Sequence, residues 1–88
     1  MIVEFSKKFL KDIEKISDNQ LKGQIGDAII LFETADTLFE INNVKKLKGH
    51  QEAYRFRLGK YRIGFYCDGI KVEMERFLKR NDIYNLFP

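Results

Sequence analysis

The sequence has little of what a disulfide, a metal site or a membrane span requires. A single cysteine, Cys67, cannot form an internal disulfide, and one histidine without clustered acids falls short of a metal site. No apolar run reaches the roughly 18 residues that cross a bilayer. Glu4 interrupts any export-signal core, and no phosphate-binding glycine loop is present. These absences predict a protein of the reducing cytoplasm with no metal, no small-molecule cofactor and no membrane association.

What is present suffices for one folded domain. Hydrophobic residues make up 44% of the 88 positions and aromatic residues 14%, which argues against a disordered chain. Two domains would leave neither half a workable core, so residues 1–88 are expected to form a single domain. Proline occurs only at position 88, and no low-complexity tract or linker divides the chain.

The two halves of the chain carry opposite net charge. Residues 1–44 hold five lysines, no arginine and eight acidic residues, a net charge of −3. Residues 45–88 hold eleven basic residues, including all five arginines, against five acidic ones, a net charge of +6. This asymmetry is typical of a surface that binds a polyanion. On the asymmetry alone, charge that merely serves solubility is an equal alternative.

The first half predicts a strand followed by two helices. Residues 2–5 are β-branched and aromatic, and Ser6 suits the N-cap of a helix. Apolar residues then recur at helical spacing, with a polar break at residues 17–19 and a second helix ending near Ala35. The two amphipathic helices predict an antiparallel helical hairpin. Residues 36–53 are hardest to interpret and are expected to be a connector ending in a turn.

The second half predicts a three-stranded antiparallel meander over residues 54–58, 61–67 and 70–78. Apolar and polar residues alternate along the first two runs, and Gly59-Lys60 and Asp68-Gly69 suit two-residue turns. Residues 83–88 close the chain as a turn or a helix. The predicted fold is therefore α+β: an N-terminal strand, an α-helical hairpin, and a meander with the helices packed on one sheet face.

Two-residue turns fix the register, so neighbours across the predicted sheet follow. Alternate residues of a strand point to opposite faces of the sheet, and the set that is apolar faces the helices. The residues of the other parity form the opposite face, where Arg57 lies opposite Arg62, Arg55 opposite Gly64, and Glu75 beside Arg62. Like charges directly opposite cost about 0.2–1 kcal/mol, whereas guanidinium groups match phosphate oxygens. This face is therefore interpreted as an anion-binding surface.

Gly64 would allow a ligand backbone to approach that surface closely. The alternative is that Glu73 and Glu75 neutralise the arginines in a solvated lattice. From spacing alone, Tyr84 is expected to pack in the core, Cys67 to be a buried thiol, and His50 to be polar surface.

The stretches KKLKGHQEAYRFRLGKYRIGFY (45–66) and FLKRNDIY (77–84) resemble the RelE/ParE superfamily of type II toxin–antitoxin toxins, and its RelE-like branch in particular. The resemblance covers nearly the whole chain. It implies a ribosome-dependent mRNA endonuclease that cuts the codon in the A site by metal-independent attack of a 2′-hydroxyl. The implied partners are a cognate antitoxin and the ribosome with its mRNA.

The resemblance also implies site residues. It assigns catalysis to Arg57, Arg62, Lys79, Arg80 and Tyr84, and RNA binding to Lys46, Lys48, Arg55 and Lys60. Two positions differ from relatives: Arg57 stands where some have lysine, and Lys79 where many have histidine. Because arginine stays protonated, Arg57 cannot act as the general base, which is left unassigned. A ParE-like gyrase inhibitor and a weakly active or non-catalytic antitoxin-binding homologue are the alternatives.

Overall fold

The computed structural model describes all residues, 1–88, as one five-stranded mixed sheet with three helices. The elements are β1 (Ile2–Phe5), α1 (Lys7–Glu14), α2 (Asn19–Thr34), a 3-10 turn (Leu38–Glu40), β2 (Val44–Lys46), β3 (Ala53–Leu58), β4 (Tyr61–Cys67), β5 (Lys71–Lys79) and α3 (Arg80–Leu86). The strand order is β1-β5-β4-β3-β2, with β1 parallel to β5 and the other pairs antiparallel. The α+β prediction is confirmed, whereas β2 was not predicted. No helix combines the length and the apolar character needed to cross a membrane.

The helices α1 and α2 begin where side chains cap them and pack on one sheet face. The Ser6 hydroxyl accepts a hydrogen bond from the Phe9 amide, as predicted for an N-cap, and the Asp18 carboxylate accepts from two amides at the start of α2. From α2, the Phe32 ring packs edge-on against Phe56 at 5.4 Å and Phe65 at 5.0 Å between ring centroids. The predicted helical hairpin therefore covers the apolar face of the sheet.

The register of β3 and β4 is the predicted one. Arg57 lies opposite Arg62, and Arg55 lies opposite Gly64. The two-residue turn sets this pairing, because Gly59 takes the positive φ of 58° that the turn requires.

The predicted register of β4 and β5 is wrong. Cys67 pairs with Val72 because the turn spans four residues, held by the Asp68 carboxylate, which accepts from the amides of Ile70 at 2.9 Å and Lys71 at 2.8 Å. These backbone hydrogen bonds also lower the pKa of Asp68. A β-bulge beside Gly64 and Phe65 then shifts the pairing further. The predicted position of Glu75 beside Arg62 is consequently incorrect.

Helix α3 lies on the sheet face opposite the helical hairpin. Its buried residue Ile83 packs with Phe87 and Ala53 in a small second cluster, and the Phe87 ring lies 5.3 Å from that of Tyr66. A Cβ at Gly64 would stand 2.6 Å from Phe87 Cδ2. The Phe87 ring therefore packs directly on the backbone of Gly64. The prediction that a ligand backbone approaches closely at Gly64 is wrong.

One arginine stabilises the fold. Arg76 donates through Nε to Asp12 Oδ2 at 2.8 Å and through Nη2 to Asp12 Oδ1 at 3.2 Å. The same carboxylate accepts from the backbone amide of Phe77 at 2.9 Å, beyond the point where β1 stops pairing with β5. Asp12 thus accepts a hydrogen bond from the part of β5 that β1 leaves unpaired. Its hydrogen bond to Arg76 also raises the pKa of Arg76.

Candidate nucleic-acid interface

The centre of the basic face is Arg62, a buried arginine with no acidic partner. Its side chain is 6% exposed, and Nη1 donates to the carbonyl oxygens of Gly59 at 2.9 Å and Tyr61 at 2.8 Å. The Nε atom is buried without a hydrogen-bond partner. Because of the register shift, Leu78 rather than Glu75 lies opposite Arg62. The carboxylate that the sequence predicted beside Arg62 is absent from that position.

The groups around Arg62 are mostly cationic. Burial lowers the pKa of Arg62, and Arg55, Arg80 and Arg57 lower it further, while Tyr84 acts in the opposite direction. The two salt bridges of the structure join Lys71 to Glu4 and Arg76 to Asp12, so none of the clustered arginines belongs to one. A buried guanidinium among unneutralised cations gains stability when an anion binds.

The C-terminal helix brings Arg80 and Tyr84 to this cluster. The Arg80 amide donates to the carbonyl oxygen of Lys60 at 3.0 Å, which ties the start of α3 to the turn between β3 and β4. Ile83 and Phe87 take the buried positions, and Tyr84 is left 57% exposed. The expectation from spacing that Tyr84 packs in the core is therefore wrong, and its ring is free to stack on a base.

Arg57 and Lys79 are the two remaining residues predicted to be catalytic. The Arg57 Nη2 donates to Asn43 Oδ1 at 2.8 Å, which draws this exposed side chain to the edge of β3. Lys79 pairs with Tyr61, whose ring stacks on Phe77 at 4.8 Å within the hairpin-side core. Lys79 therefore has the strand parity opposite to that of Arg62.

A groove of about 430 Å³ continues the site beyond Arg55 and Tyr84. It is lined by Lys45, Lys46, Leu47, Lys48, His50, Arg55, Tyr84, Phe87 and Pro88. Strand β2 builds one wall, and Lys45 lies directly opposite Arg55. The predicted RNA-binding residues Lys46, Lys48 and Arg55 thus meet here, whereas Lys60 lies in the turn beside Arg80. Sequence reasoning missed Lys45 and His50 because β2, three residues long and rich in lysine, was not predicted.

Known proteins share both the sequence and the fold. The chain is 34% identical to toxin RelE3 of Methanocaldococcus jannaschii over 89 aligned positions, covering 100% of both chains. The toxin–antitoxin complex RelB-RelE from Methanococcus jannaschii contains a chain with 32% identity and a TM-score of 0.79, covering 97% of this chain and 99% of that one. The archaeal RelE-RelB complex from Pyrococcus horikoshii shares the fold at a TM-score of 0.71 and 20% identity, covering 90% and 93%. No family model matches.

The fold and the basic face define a RelE-type α+β domain. Sequence identity of 34% to a RelE toxin over the full length of both chains then establishes the family. The protein belongs to the RelE family of toxins.

Proposed function

We propose that the protein is the toxin of a type II toxin–antitoxin system and acts as a ribosome-dependent mRNA endonuclease in the cytoplasm. The observation that supports this proposal most strongly is Arg62: a buried, acid-free guanidinium surrounded by Arg55, Arg80 and the exposed Tyr84. Such an arrangement suits a phosphate flanked by a nucleobase, because guanidinium groups pair with phosphate oxygens and aromatic rings stack on bases.

The reaction that fits these groups is transesterification within the RNA. The 2′-hydroxyl attacks the adjacent phosphorus, the bond to the 5′-oxygen breaks, and the products are a 2′,3′-cyclic phosphate and a 5′-hydroxyl. Arg62, with Arg55 and Arg80, would stabilise the additional negative charge of the phosphorane. Tyr84 would stack on the base and hold the nucleotide with its 2′-oxygen in line with the phosphorus and the departing 5′-oxygen. Charge stabilisation by preorganised cations requires no metal ion.

The expected partner is a cognate antitoxin, because this family includes RelE chains solved in complexes with RelB. The cationic face predicts that an acidic segment of the antitoxin covers Arg55, Arg57 and Arg62. An antitoxin that left all three exposed in the complex would contradict this prediction.

Induction in growing cells, followed by primer extension on translated mRNA, tests the proposal. Arg80→Ala is the informative variant because Arg80 is exposed and its loss should not unfold the domain, and Arg62→Ala tests the centre directly. Both should abolish growth arrest and cuts at A-site codons. Lys22→Ala, on the exposed side of α2, is the matched control and should remain toxic.

The same cells distinguish the alternatives. Growth arrest with gyrase-dependent DNA breaks and no mRNA cuts would overturn the nuclease proposal in favour of a ParE-like gyrase inhibitor. Arrest by neither route, with the wild-type protein folded and expressed, would indicate a non-catalytic homologue.

A further inference from the structure

The only histidine of the chain lines the basic groove. His50 lies in the turn between β2 and β3, where its amide donates to the Leu47 carbonyl oxygen at 3.4 Å and Gly49 takes a φ of 78°. This turn presents the exposed His50 side chain to the groove that also contains Arg55 and Tyr84. Both of these residues also act electrostatically on Arg62, and Arg55 lies opposite Gly64 on the strand that carries Arg62. The groove therefore borders the arginine cluster.

The proposed reaction needs an acceptor for the 2′-hydroxyl proton, and the arginine cluster cannot supply one. Arginine remains protonated at all accessible pH values. Lys79 has the strand parity opposite to that of Arg62. Histidine is the side chain whose ordinary titration falls between pH 5 and 8, where a general base works best.

We propose that His50 is the general base, an inference that rests on the proposed function. A neutral imidazole nitrogen of His50 takes the proton of the 2′-hydroxyl as the 2′-oxygen forms its bond to phosphorus. The bond to the 5′-oxygen breaks, and that oxygen takes up a proton from solvent water as the 5′-hydroxyl. The charged and titratable groups that share the groove with His50 are Lys45, Lys46 and Lys48 from β2 and its following turn, Arg55 from β3, and Tyr84 from α3. Tyr84 is the competing base among these groups.

A single-turnover cleavage assay on mRNA held in translating ribosomes, run from acid to alkaline pH, tests the assignment. The wild-type rate should rise between about pH 5 and 8, the interval in which histidine as a residue type changes its charge. His50→Asn should cut at least about 100-fold more slowly and lose this rise, since general-base catalysis typically contributes 10²–10⁴-fold. Added imidazole should partly restore cutting by His50→Ala. Gln51→Ala, in the same turn but outside this groove, is the matched control and should keep the wild-type rate and profile.

Several results would overturn the inference. His50→Asn cutting at the wild-type rate would exclude a base role, and a slower variant that keeps the wild-type pH profile would assign His50 to structure instead. A wild-type rate that rises only above about pH 8, outside the interval in which histidine changes its charge, would assign the proton to a group other than His50. Absence of cutting by the folded wild-type protein would instead reject the proposed function, and this inference with it.

Discussion

Replacing Gly64 with alanine tests how α3 is held over the basic face. A Cβ at this position would lie 2.6 Å from Phe87 Cδ2 and 2.7 Å from Phe87 Cγ, closer than real Cβ contacts. In Gly64→Ala, the Phe87 ring must therefore shift away from residue 64 or lose its buried position altogether. Overpacking of this kind costs about 1–3 kcal/mol, and loss of a buried phenylalanine costs a similar amount, about 1.5–3 kcal/mol. In a domain of this size, each 1 kcal/mol lowers Tm by about 4–8 °C.

Urea and thermal denaturation of Gly64→Ala, Phe87→Ala and the double variant measure this effect as a cycle. With Phe87 removed, the added methyl group has space, so the two single costs should not add, and the coupling should reach about 1 kcal/mol or more. Gly23→Ala is the matched control: a Cβ added there would meet nothing within 4 Å, and alanine favours the α2 helix. Wild-type stability of Gly64→Ala, or strict additivity in the cycle, would refute the seating of Phe87 on Gly64.

Two further changes test the charges that support the fold. Asp12→Ala should destabilise the domain by about 3–5 kcal/mol in urea denaturation, because it leaves Arg76 partly buried and unpaired. The control, Glu14→Ala at an exposed position, should change stability little. A cost below about 1 kcal/mol for Asp12→Ala would contradict the stabilising role of the pair. Burial, and then the neighbouring Glu73 carboxyl, raise the pKa of Glu75 from 4.5 to about 7, so this group contributes its stability in full below pH 4.5 and loses it as the pH rises through 7. Glu75→Gln should therefore match the wild type in acid and exceed its stability at pH 8 by about 1 kcal/mol, a value reduced for solvent screening; equal stabilities at pH 8, or a gain shared by Glu14→Gln, would contradict this.

The parts of the fold that local chemistry determines were predictable from the sequence. The Gly59-Lys60 turn permits one register, so the pairing of Arg57 with Arg62 followed from residue parity. The predicted register of the next hairpin, β4 with β5, was wrong because the sequence Asp68-Gly69 is equally compatible with a two-residue turn. Only the folded chain shows the Asp68 carboxylate holding a longer loop.

The surroundings of the site were less predictable because they depend on tertiary contacts. Ile83 and Phe87 could have packed on either sheet face, and the choice of face decides whether Tyr84 is buried or presented to a ligand. Strand β2 is an edge strand of three residues that forms only by pairing with β3. That pairing brings Lys45 beside Arg55 and turns His50 from apparent polar surface into a wall of the groove.

Mapping the RNA ends left on an mRNA translated in a reconstituted system tests the central claim most directly. We expect cuts within the A-site codon that appear only during translation, leave a 5′-hydroxyl on the downstream fragment, and disappear for Arg62→Ala. A wild-type protein that arrests growth but leaves the translated mRNA intact would contradict it.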